Sequence, residues 1–191
     1  MFLTPNLIEI LILTKILPIF ILAHWLEKSG LSTKEKRFSF FALLFSSLGD
    51  GLLEVPGNFV FGLGGFLVAQ ILYSFGFSFG AKLHLKRTLP FLVLGVVLMS
   101  YLIGFIDPQL RVPVIVYVLV LMTMGWRALS RKVSGPAFLY TAIGGVVFIL
   151  SDSLIAFSRF AKLPIPLSDL WIMVTYYLAQ YTIAKGVVER T

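Results

Sequence analysis

The chain has 191 residues, of which 58% are hydrophobic and only 13% are charged, against a charged share of about 25% in an average soluble domain. This composition excludes a soluble globular fold. The sequence contains no cysteine, which excludes disulfide bonds, thiolate catalysis and cysteine-ligated metals. The formal net charge is +7, but the basic residues are distributed as in a membrane protein, and no nucleic-acid partner is expected.

Apolar segments recur along almost the whole sequence and predict an all-α, polytopic membrane helix bundle. At about 20 residues per crossing, the chain has room for seven or eight spans, and we expect one integral membrane domain over residues 1–191. The pattern indicates seven spans, at residues 6–26, 38–55, 58–79, 89–106, 112–129, 136–158 and 167–187. The first segment lacks the basic start and the small-residue cleavage site of a signal peptide, so we expect it to be a true span.

The basic residues alternate between loops as the positive-inside rule describes. Three of them fall on one side of the predicted bundle, Lys15 lies within a span, and twelve fall on the other side. The twelve are Lys28, Lys34, Lys36, Arg37, Lys82, Lys86, Arg87, Arg127, Arg131, Lys132, Lys185 and Arg190. The rule predicts an outside N-terminus and a cytoplasmic C-terminus, and we expect the protein in a bacterial inner membrane.

Only two of the nine acidic residues are predicted to lie well inside the membrane, namely Asp50 and Asp152. A carboxylate at the bilayer centre costs about 2.5–3.5 kcal/mol on insertion scales, so each is a candidate functional residue. At about 1.5 Å per helical residue, they lie roughly 18 Å and 24 Å along their helices and share the outer half of the bundle. The structural alternative is a hydrogen bond between helices or an ion pair, for instance with Lys15. Glu54 is expected to be solvated near the outer surface, and Glu35 is placed with the acids of loops and helix ends.

Five further polar residues fall at overlapping depth on the first, third and seventh spans, about 13–20 Å from the outer face by the same helical rise. They are Lys15, Gln70, Tyr73, Tyr177 and Gln180. The pairs Gln70/Tyr73 and Tyr177/Gln180 are spaced i,i+3, which places each pair on one helix face. The simplest arrangement is a polar pocket inside the bundle, lined by these side chains. The alternative is that they only form hydrogen bonds between helices.

Metal and phosphate-loop chemistry find no support in the sequence. A catalytic zinc site of the three-histidine type needs more than the two histidines present, His24 and His84, which both lie at or beyond predicted cytoplasmic ends. The Gly-x-x-x-x-Gly-Lys-Ser/Thr loop and the Gly-x-Ser-x-Gly elbow are both absent. No cofactor and no metal are therefore expected.

Five sequence fragments together carry a family resemblance. They are Lys15 with Pro18, Gly49-Asp50-x-x-Leu53, Phe61-Gly62-x-x-x-Phe66-x-x-x-Gln70-x-x-Tyr73, Phe148-x-x-Ser151-Asp152-x-x-Ile155-Ala156-x-x-x-Phe160, and Tyr176-Tyr177-Leu178-Ala179-Gln180. In this order and at this spacing, over residues 15–186, they resemble the YhhN family, also called lysoplasmalogenases. Two features depart from the family, because members commonly have eight spans and many have histidine at the position of Gln70.

The resemblance implies a metal-independent lipid hydrolase that cleaves the vinyl ether bond of lysoplasmalogens, which are alkenyl lysophospholipids, to a fatty aldehyde and a glycerophospho-base. It implies Asp50 and Asp152 as the catalytic groups and a membrane lysophospholipid as the partner. Two carboxyls in a low-dielectric pocket cannot both ionise cheaply, so we expect one to donate a proton while the other stays charged. The residues do not assign these roles, although Asp152 is the preferred donor. Lys15 and the other pocket residues would contact the substrate or position water.

Two functions of other classes are alternatives to hydrolysis. The same aspartates could bind a proton or cation in a transporter of lipids or small molecules. A purely structural seven-helix partner protein is disfavoured, because that role does not need two acids at one depth.

Overall fold

In a computed structural model, which describes residues 5–79, 81 and 85–190, the chain forms a bundle of α-helices. The helices are α1 (Pro5–Lys28), α2 (Lys34–Glu54), α3 (Phe59–Ser78), α4 (Leu85–Leu102), α5 (Pro108–Ala128), α6 (Pro136–Arg159) and α7 (Ser168–Val188). Each coincides with one predicted span to within a few residues, which confirms the all-α bundle of seven helices. The described part of the chain contains no strand. Lys82 and His84 lie outside the described residues.

Five of these helices are long and apolar enough to cross a membrane: α3, α4, α5, α6 and α1 from Ile8 onward. The other two, α2 and α7, have 21 residues each, which is about 30 Å of helix at about 1.5 Å per residue. They are less apolar because they carry buried serine, threonine, glutamine and carboxylate side chains. Both pack against other helices of the bundle, α2 against α1, α3 and α7, and α7 against α6, α1 and α2. Their polar groups can therefore face protein rather than lipid.

A close crossing of α2 and α3 fixes the position of the first aspartate. A Cβ atom added at Gly65 would lie 2.9 Å from the backbone Cα and N of Gly49, so a larger residue would push the two helices apart. Small residues at such crossings let helix backbones approach closely. Asp50 follows Gly49 directly, so the crossing fixes the level of Asp50 along α2 relative to α3. Gly64, by contrast, has nothing within 4 Å of its added Cβ.

The main core runs through the bundle and takes buried side chains from all seven helices, among them Leu26 on α1, Phe66 on α3, Met124 on α5, Phe148 on α6 and Ile183 on α7. The outer surface is apolar as well. On α4, for example, the exposed side chains include leucines and valines at 85, 89, 93 and 96. Such contiguous apolar surface fits contact with lipid. The chain thus has the construction of a membrane protein, with its polar groups inside and its apolar side chains outside.

Glu35 lies at a helix end, as expected, in the first turn of α2. The sequence did not indicate that it is buried, with a side-chain exposure of 1%. Its carboxylate forms ion pairs with Arg190 and with Arg131, whose Nη2 lies 2.5 Å from Glu35 Oε1. Burial lowers the pKa of the Arg131 guanidinium, and the charge of Glu35 opposes that shift. Glu35 therefore ties the start of α2 to the loop after α5 and to the end of the chain.

Candidate active site

Asp50 and Asp152 line the same small cavity inside the bundle. Asp50 comes from the last turns of α2 and Asp152 from the second half of α6, so two helices from distant parts of the sequence supply the two carboxyls. The cavity has a volume of about 60 Å³, which is room for a few water molecules. Lys15, Glu54 and Tyr176 provide further polar lining, and Phe66 lies among its apolar walls. We call this space the aspartate cavity.

Asp50 is held by a tyrosine from α7. Tyr176 Oη donates a hydrogen bond of 2.8 Å to Asp50 Oδ2. The Tyr176 ring is itself fixed by edge-to-face packing on Phe66 and Phe148, at centroid distances of 5.8 and 5.9 Å. Because these rings are buried, the hydroxyl has little freedom to leave the carboxylate. Asp50 is itself only 8% exposed, so its orientation is set by the protein and not by solvent.

The hydroxyl of Tyr176 is also bonded to a network of buried amide and hydroxyl groups. Gln180 Nε2 donates to Tyr176 Oη at 3.3 Å and to Ser46 Oγ at 3.0 Å. Tyr73 Oη donates to Gln180 Oε1 at 2.7 Å. Both Tyr73 and Gln180 are fully buried. They were predicted as substrate-binding residues, and the structure places them behind the residue that contacts Asp50, outside the lining of the aspartate cavity.

Asp152 receives hydrogen bonds from two other helices. Tyr117 Oη, on α5, donates to Asp152 Oδ2 at 2.6 Å. Gln70 Nε2, on α3, donates to the same oxygen at 3.1 Å. Among the described residues no donor reaches Oδ1, which leaves that oxygen for a ligand or a proton. The sequence did not indicate Tyr117, because the residues around it over positions 112–122 are all apolar and it has no polar neighbour at helical spacing.

An apolar cleft adjoins the aspartate cavity on the side of Asp152. It lies between α3, α4, α5 and α6, and Asp152, Leu53, Phe66 and Ile155 line both spaces. Asp50 lines only the aspartate cavity. Farther along, the cleft is walled almost entirely by aliphatic and aromatic side chains such as Leu98, Leu102, Val114, Ala156 and Phe160. The two carboxyls are thus not equivalent, since only Asp152 borders the apolar cleft.

Lys15 is the counter-charge of an acid, which is one of the two roles expected for it. The acid is Glu54 and not Asp50 or Asp152, because Lys15 Nζ forms an ion pair with Glu54. Glu54 was expected to be solvated, yet its side chain is only 16% exposed. It lies one helical turn after Asp50 on α2, so the ion pair borders the aspartate cavity beside that carboxyl. An ammonium and a carboxylate therefore stand next to the two aspartates.

Of the two adjacent tyrosines on α7, Tyr176 faces the aspartate cavity and Tyr177 does not. The spacing suggested that Tyr177 and Gln180 share a face toward the pocket, whereas the structure places Tyr176 there. Tyr177 Oη instead donates to the backbone carbonyl of Lys15 at 3.1 Å, which ties α7 to α1. The double tyrosine was visible in the sequence, but the polar residues of α7 are spread around its axis, so its pattern does not single out one face.

Taken together, the fold and the two carboxyls that share one cavity define the class: an integral membrane protein, built of long apolar helices, with an acidic site inside its bundle. The family follows from sequence comparison. A sequence model of the YhhN family matches residues 10–187, and the chain belongs to that family. The family expected from the five sequence fragments is thereby confirmed.

Three curated relatives show how similar the chain is to named proteins and how much of each chain the similarity covers. Lysoplasmalogenase TMEM86B of Homo sapiens is 34% identical over 182 residues, which cover 93% of this chain and 75% of the relative. Lysoplasmalogenase TMEM86A of Bos taurus is 34% identical over 197 residues, or 97% of this chain and 80% of the relative. A lysoplasmalogenase of Mycobacterium tuberculosis is 35% identical over 142 residues, or 66% and 51%. No solved structure gives a significant match.

Proposed function

We propose that this protein is a lysoplasmalogenase, which hydrolyses the vinyl ether bond of an alkenyl lysophospholipid to a fatty aldehyde and a glycerophospho-base. The names of its relatives support this activity. The structural observation that carries it is that Asp50 and Asp152 line one cavity, with an apolar cleft beginning at Asp152. A vinyl ether needs an acid and an anion together, and this cavity holds two carboxyls within an apolar bundle.

The arrangement suits a substrate with one apolar and one charged end. The alkenyl chain would occupy the apolar cleft beyond Asp152, and the glycerophospho end would lie toward the Lys15–Glu54 pair. The vinyl ether then lies between the two aspartates, with its chain-side carbon nearer Asp152 and its glycerol oxygen nearer Asp50.

The first step transfers a proton from Asp152 to the chain-side carbon of the double bond. The alkene electrons form the new C–H bond, and the ether oxygen shares its electrons with the adjacent carbon to give an oxocarbenium ion. Two observations favour Asp152 as the donor: it borders the cleft, and its Oδ1 is the oxygen that neither Tyr117 nor Gln70 reaches. A positioned general acid contributes about 10²–10⁴-fold to such a step.

Asp50 has the complementary role. As an anion it stabilises the oxocarbenium ion through charge attraction in a medium of low dielectric and orients a water molecule. The water oxygen bonds to the oxocarbenium carbon, and Asp50 accepts the released proton. The resulting hemiacetal collapses when its hydroxyl proton passes to Asp152 and the glycerol oxygen leaves with the proton from Asp50. Aldehyde and alcohol are formed, and both aspartates return to their starting states.

The proposal includes metal-independent chemistry and a location in the bacterial inner membrane. Metal independence rests on the ligand set, since the sequence has two histidines and no cysteine, and no group of three or more carboxylate or imidazole side chains in the described ranges is placed to hold a metal ion. The orientation, with the N-terminus outside, rests on the twelve-to-three distribution of basic residues. Reporter fusions at the two termini would test it.

Deuterium labelling of the aldehyde tests the proposed protonation of the double bond. Purified protein in detergent micelles, with EDTA present, is incubated in D₂O with an alkenyl lysophospholipid or with its saturated ether counterpart. We expect aldehyde from the vinyl ether alone, carrying one deuterium on the carbon next to the carbonyl. Authentic aldehyde incubated without protein corrects for exchange. Equal cleavage of the saturated ether, or an aldehyde without that deuterium, would contradict carbon protonation by the enzyme.

A further inference from the structure

A second polar cavity lies at the other end of the bundle, where α5 and α7 end and where α4 and α6 begin. Its volume is about 720 Å³. The side chains that matter to its chemistry are Arg87, Ser130, Arg131, Lys132, Glu189 and Arg190. Asp152 lies 16 residues along α6 from Pro136, or about 24 Å at about 1.5 Å per residue. The two cavities are therefore separate, and we call this second one the basic-end cavity.

The basic-end cavity carries more positive than negative charge. Four cations line it, and Glu189 is the one carboxylate in its lining. The Glu189 carboxylate also lies 3.9 Å from Lys185 Nζ, outside that lining. Glu35 is not part of the lining but forms ion pairs with two of the lining residues, Arg131 and Arg190. Counting both carboxylates against the four cations leaves two positive charges uncompensated among the described residues.

The cavity is built around a rigid arginine. The Arg131 side chain is 1% exposed and is fixed by hydrogen bonds to the carbonyls of Ala137 at 3.0 Å and Gly186 at 3.3 Å, besides its ion pair with Glu35. Two buried atoms at this point have no hydrogen-bond partner among the described residues: Arg131 Nε and the hydroxyl of Ser130, a residue that is itself 1% exposed. Buried polar atoms are almost always paired, so these two residues, which both line the cavity, have unused hydrogen-bonding capacity there.

The start of α6 adds a third element. This 24-residue helix begins at Pro136, which has no backbone N–H, and its N-cap residue Gly135 has no side chain to cap the N–H groups that follow. Ala137 and Phe138, which follow, line the cavity. The first N–H groups of a helix have no partner within the helix, and its dipole favours an anion there. Arginine, serine and a free helix N-terminus are groups that together bind phosphate oxygens.

We propose that the basic-end cavity binds a phosphate group at a site distinct from the hydrolytic one. The group is either the phosphate of a phospholipid in the surrounding membrane or a soluble phosphate. The chemistry is the same in both cases: charge-assisted hydrogen bonds from the arginines, a hydrogen bond from Ser130, and backbone N–H donors at the start of α6. Lys132 and Arg87 contribute charge at the rim, where both are exposed.

The test compares two double variants of the full-length protein in neutral detergent. Arg87→Gln with Lys132→Gln removes two charges from the cavity. Arg37→Gln with Lys28→Gln removes two charges from exposed positions outside it. A third variant, Ser130→Ala, keeps the charge and removes a hydroxyl that has no partner in the described structure. Size-exclusion profiles establish that each variant is folded.

Two probes distinguish the sources of the phosphate. Inorganic phosphate is titrated against chloride at matched ionic strength while the thermal unfolding midpoint is followed. Native mass spectrometry then counts phosphatidylglycerol or phosphatidylcholine molecules retained by the protein. We expect the cavity double variant to bind at least tenfold more weakly than the wild type, Ser130→Ala several-fold more weakly, and the control variant like the wild type.

Each outcome has a defined meaning. If inorganic phosphate raises the midpoint of the wild type and the control but not of the cavity variant, a free phosphate group is a sufficient ligand. If only phosphatidylglycerol is retained, and the cavity variant loses it, the ligand is a lipid headgroup. If the wild type binds neither probe, or if the cavity and control variants bind alike, the proposal is wrong. Vinyl ether hydrolysis is measured separately and does not enter this test.

Discussion

Tyr176 on α7 donates a hydrogen bond of 2.8 Å to the carboxylate of Asp50 on α2, across 126 positions of sequence. The neighbouring Tyr177 turns away and donates to the backbone of α1. One residue along a helix is a rotation of about 100°, since there are about 3.6 residues per turn. Two adjacent tyrosines therefore have different neighbours, one at the carboxyl and one at a helix contact.

The two tyrosines form a matched pair of variants. We expect Tyr176→Phe to lower kcat/KM for vinyl ether hydrolysis about ten- to a hundredfold, because a hydrogen bond to a charged group is worth about 1.5–3 kcal/mol. Tyr177→Phe removes the same atom outside the cavity lining and should leave kcat/KM within about twofold of the wild type. Steady-state assays of aldehyde release measure both. Equal losses in the two variants would contradict a specific role of the Tyr176–Asp50 hydrogen bond in the reaction.

The apolar cleft predicts a dependence on chain length. Ala156 lines the cleft, and Ala156→Leu narrows it by adding three carbon atoms. We expect KM to rise for a long-chain alkenyl lysophospholipid and to change little for one with a short chain, which serves as the control. If the two substrates are affected equally, the alkenyl chain does not lie in this cleft.

The crossing of α2 and α3 predicts a sharp contrast between two adjacent glycines. Gly65→Ala would place a Cβ 2.9 Å from the backbone of Gly49, and such overpacking costs about 1–3 kcal/mol. Gly64→Ala meets nothing within 4 Å and should be neutral or slightly stabilising. Thermal unfolding in detergent compares the two. Because Asp50 follows Gly49, we also expect hydrolysis to fall in Gly65→Ala alone.

The buried ion pair at Glu35 should matter more than the exposed one at Glu189. Glu35→Gln leaves the buried Arg131 without its carboxylate, and breaking such a pair costs about 3–5 kcal/mol. Glu189→Gln removes a partly exposed partner of Lys185, and surface pairs are worth about 0–1 kcal/mol. Unfolding midpoints of the two variants give the comparison. Similar midpoints would show that Arg131 is satisfied without Glu35.

Much of the fold could be predicted because membrane helices are marked by long apolar runs. The bounds of α6, 136–158 in the sequence interpretation and Pro136–Arg159 in the structure, agree almost completely because Gly135 and Pro136 mark its start. The shared depth of Asp50 and Asp152 followed from counting residues along two helices that run in the same direction. Depth depends only on position along a helix, and the rise per residue is constant.

Rotation about the helix axis could not be predicted in the same way. A face is readable when polar and apolar residues segregate on a helix. The polar residues of α7 are spread around its axis, and Tyr117 of α5 has only apolar residues around it over positions 112–122. Tyr117 and Tyr176 were therefore missed as partners of the aspartates. Ion pairs such as Lys15 with Glu54, and Arg131 with Glu35, join residues far apart in the chain, and no local spacing indicates them.

The central claim is that the two aspartates carry out the hydrolysis, and one comparison tests it most directly. Asp50→Asn, Asp152→Asn and the control Asp169→Asn, an exposed carboxylate near the start of α7, are purified, checked for folding and assayed for aldehyde release from an alkenyl lysophospholipid. We expect each cavity variant to lose at least about a hundredfold in rate, as for removal of a general acid or its counter-charge, and Asp169→Asn to match the wild type. Full hydrolysis by folded Asp50→Asn and Asp152→Asn would contradict the mechanism.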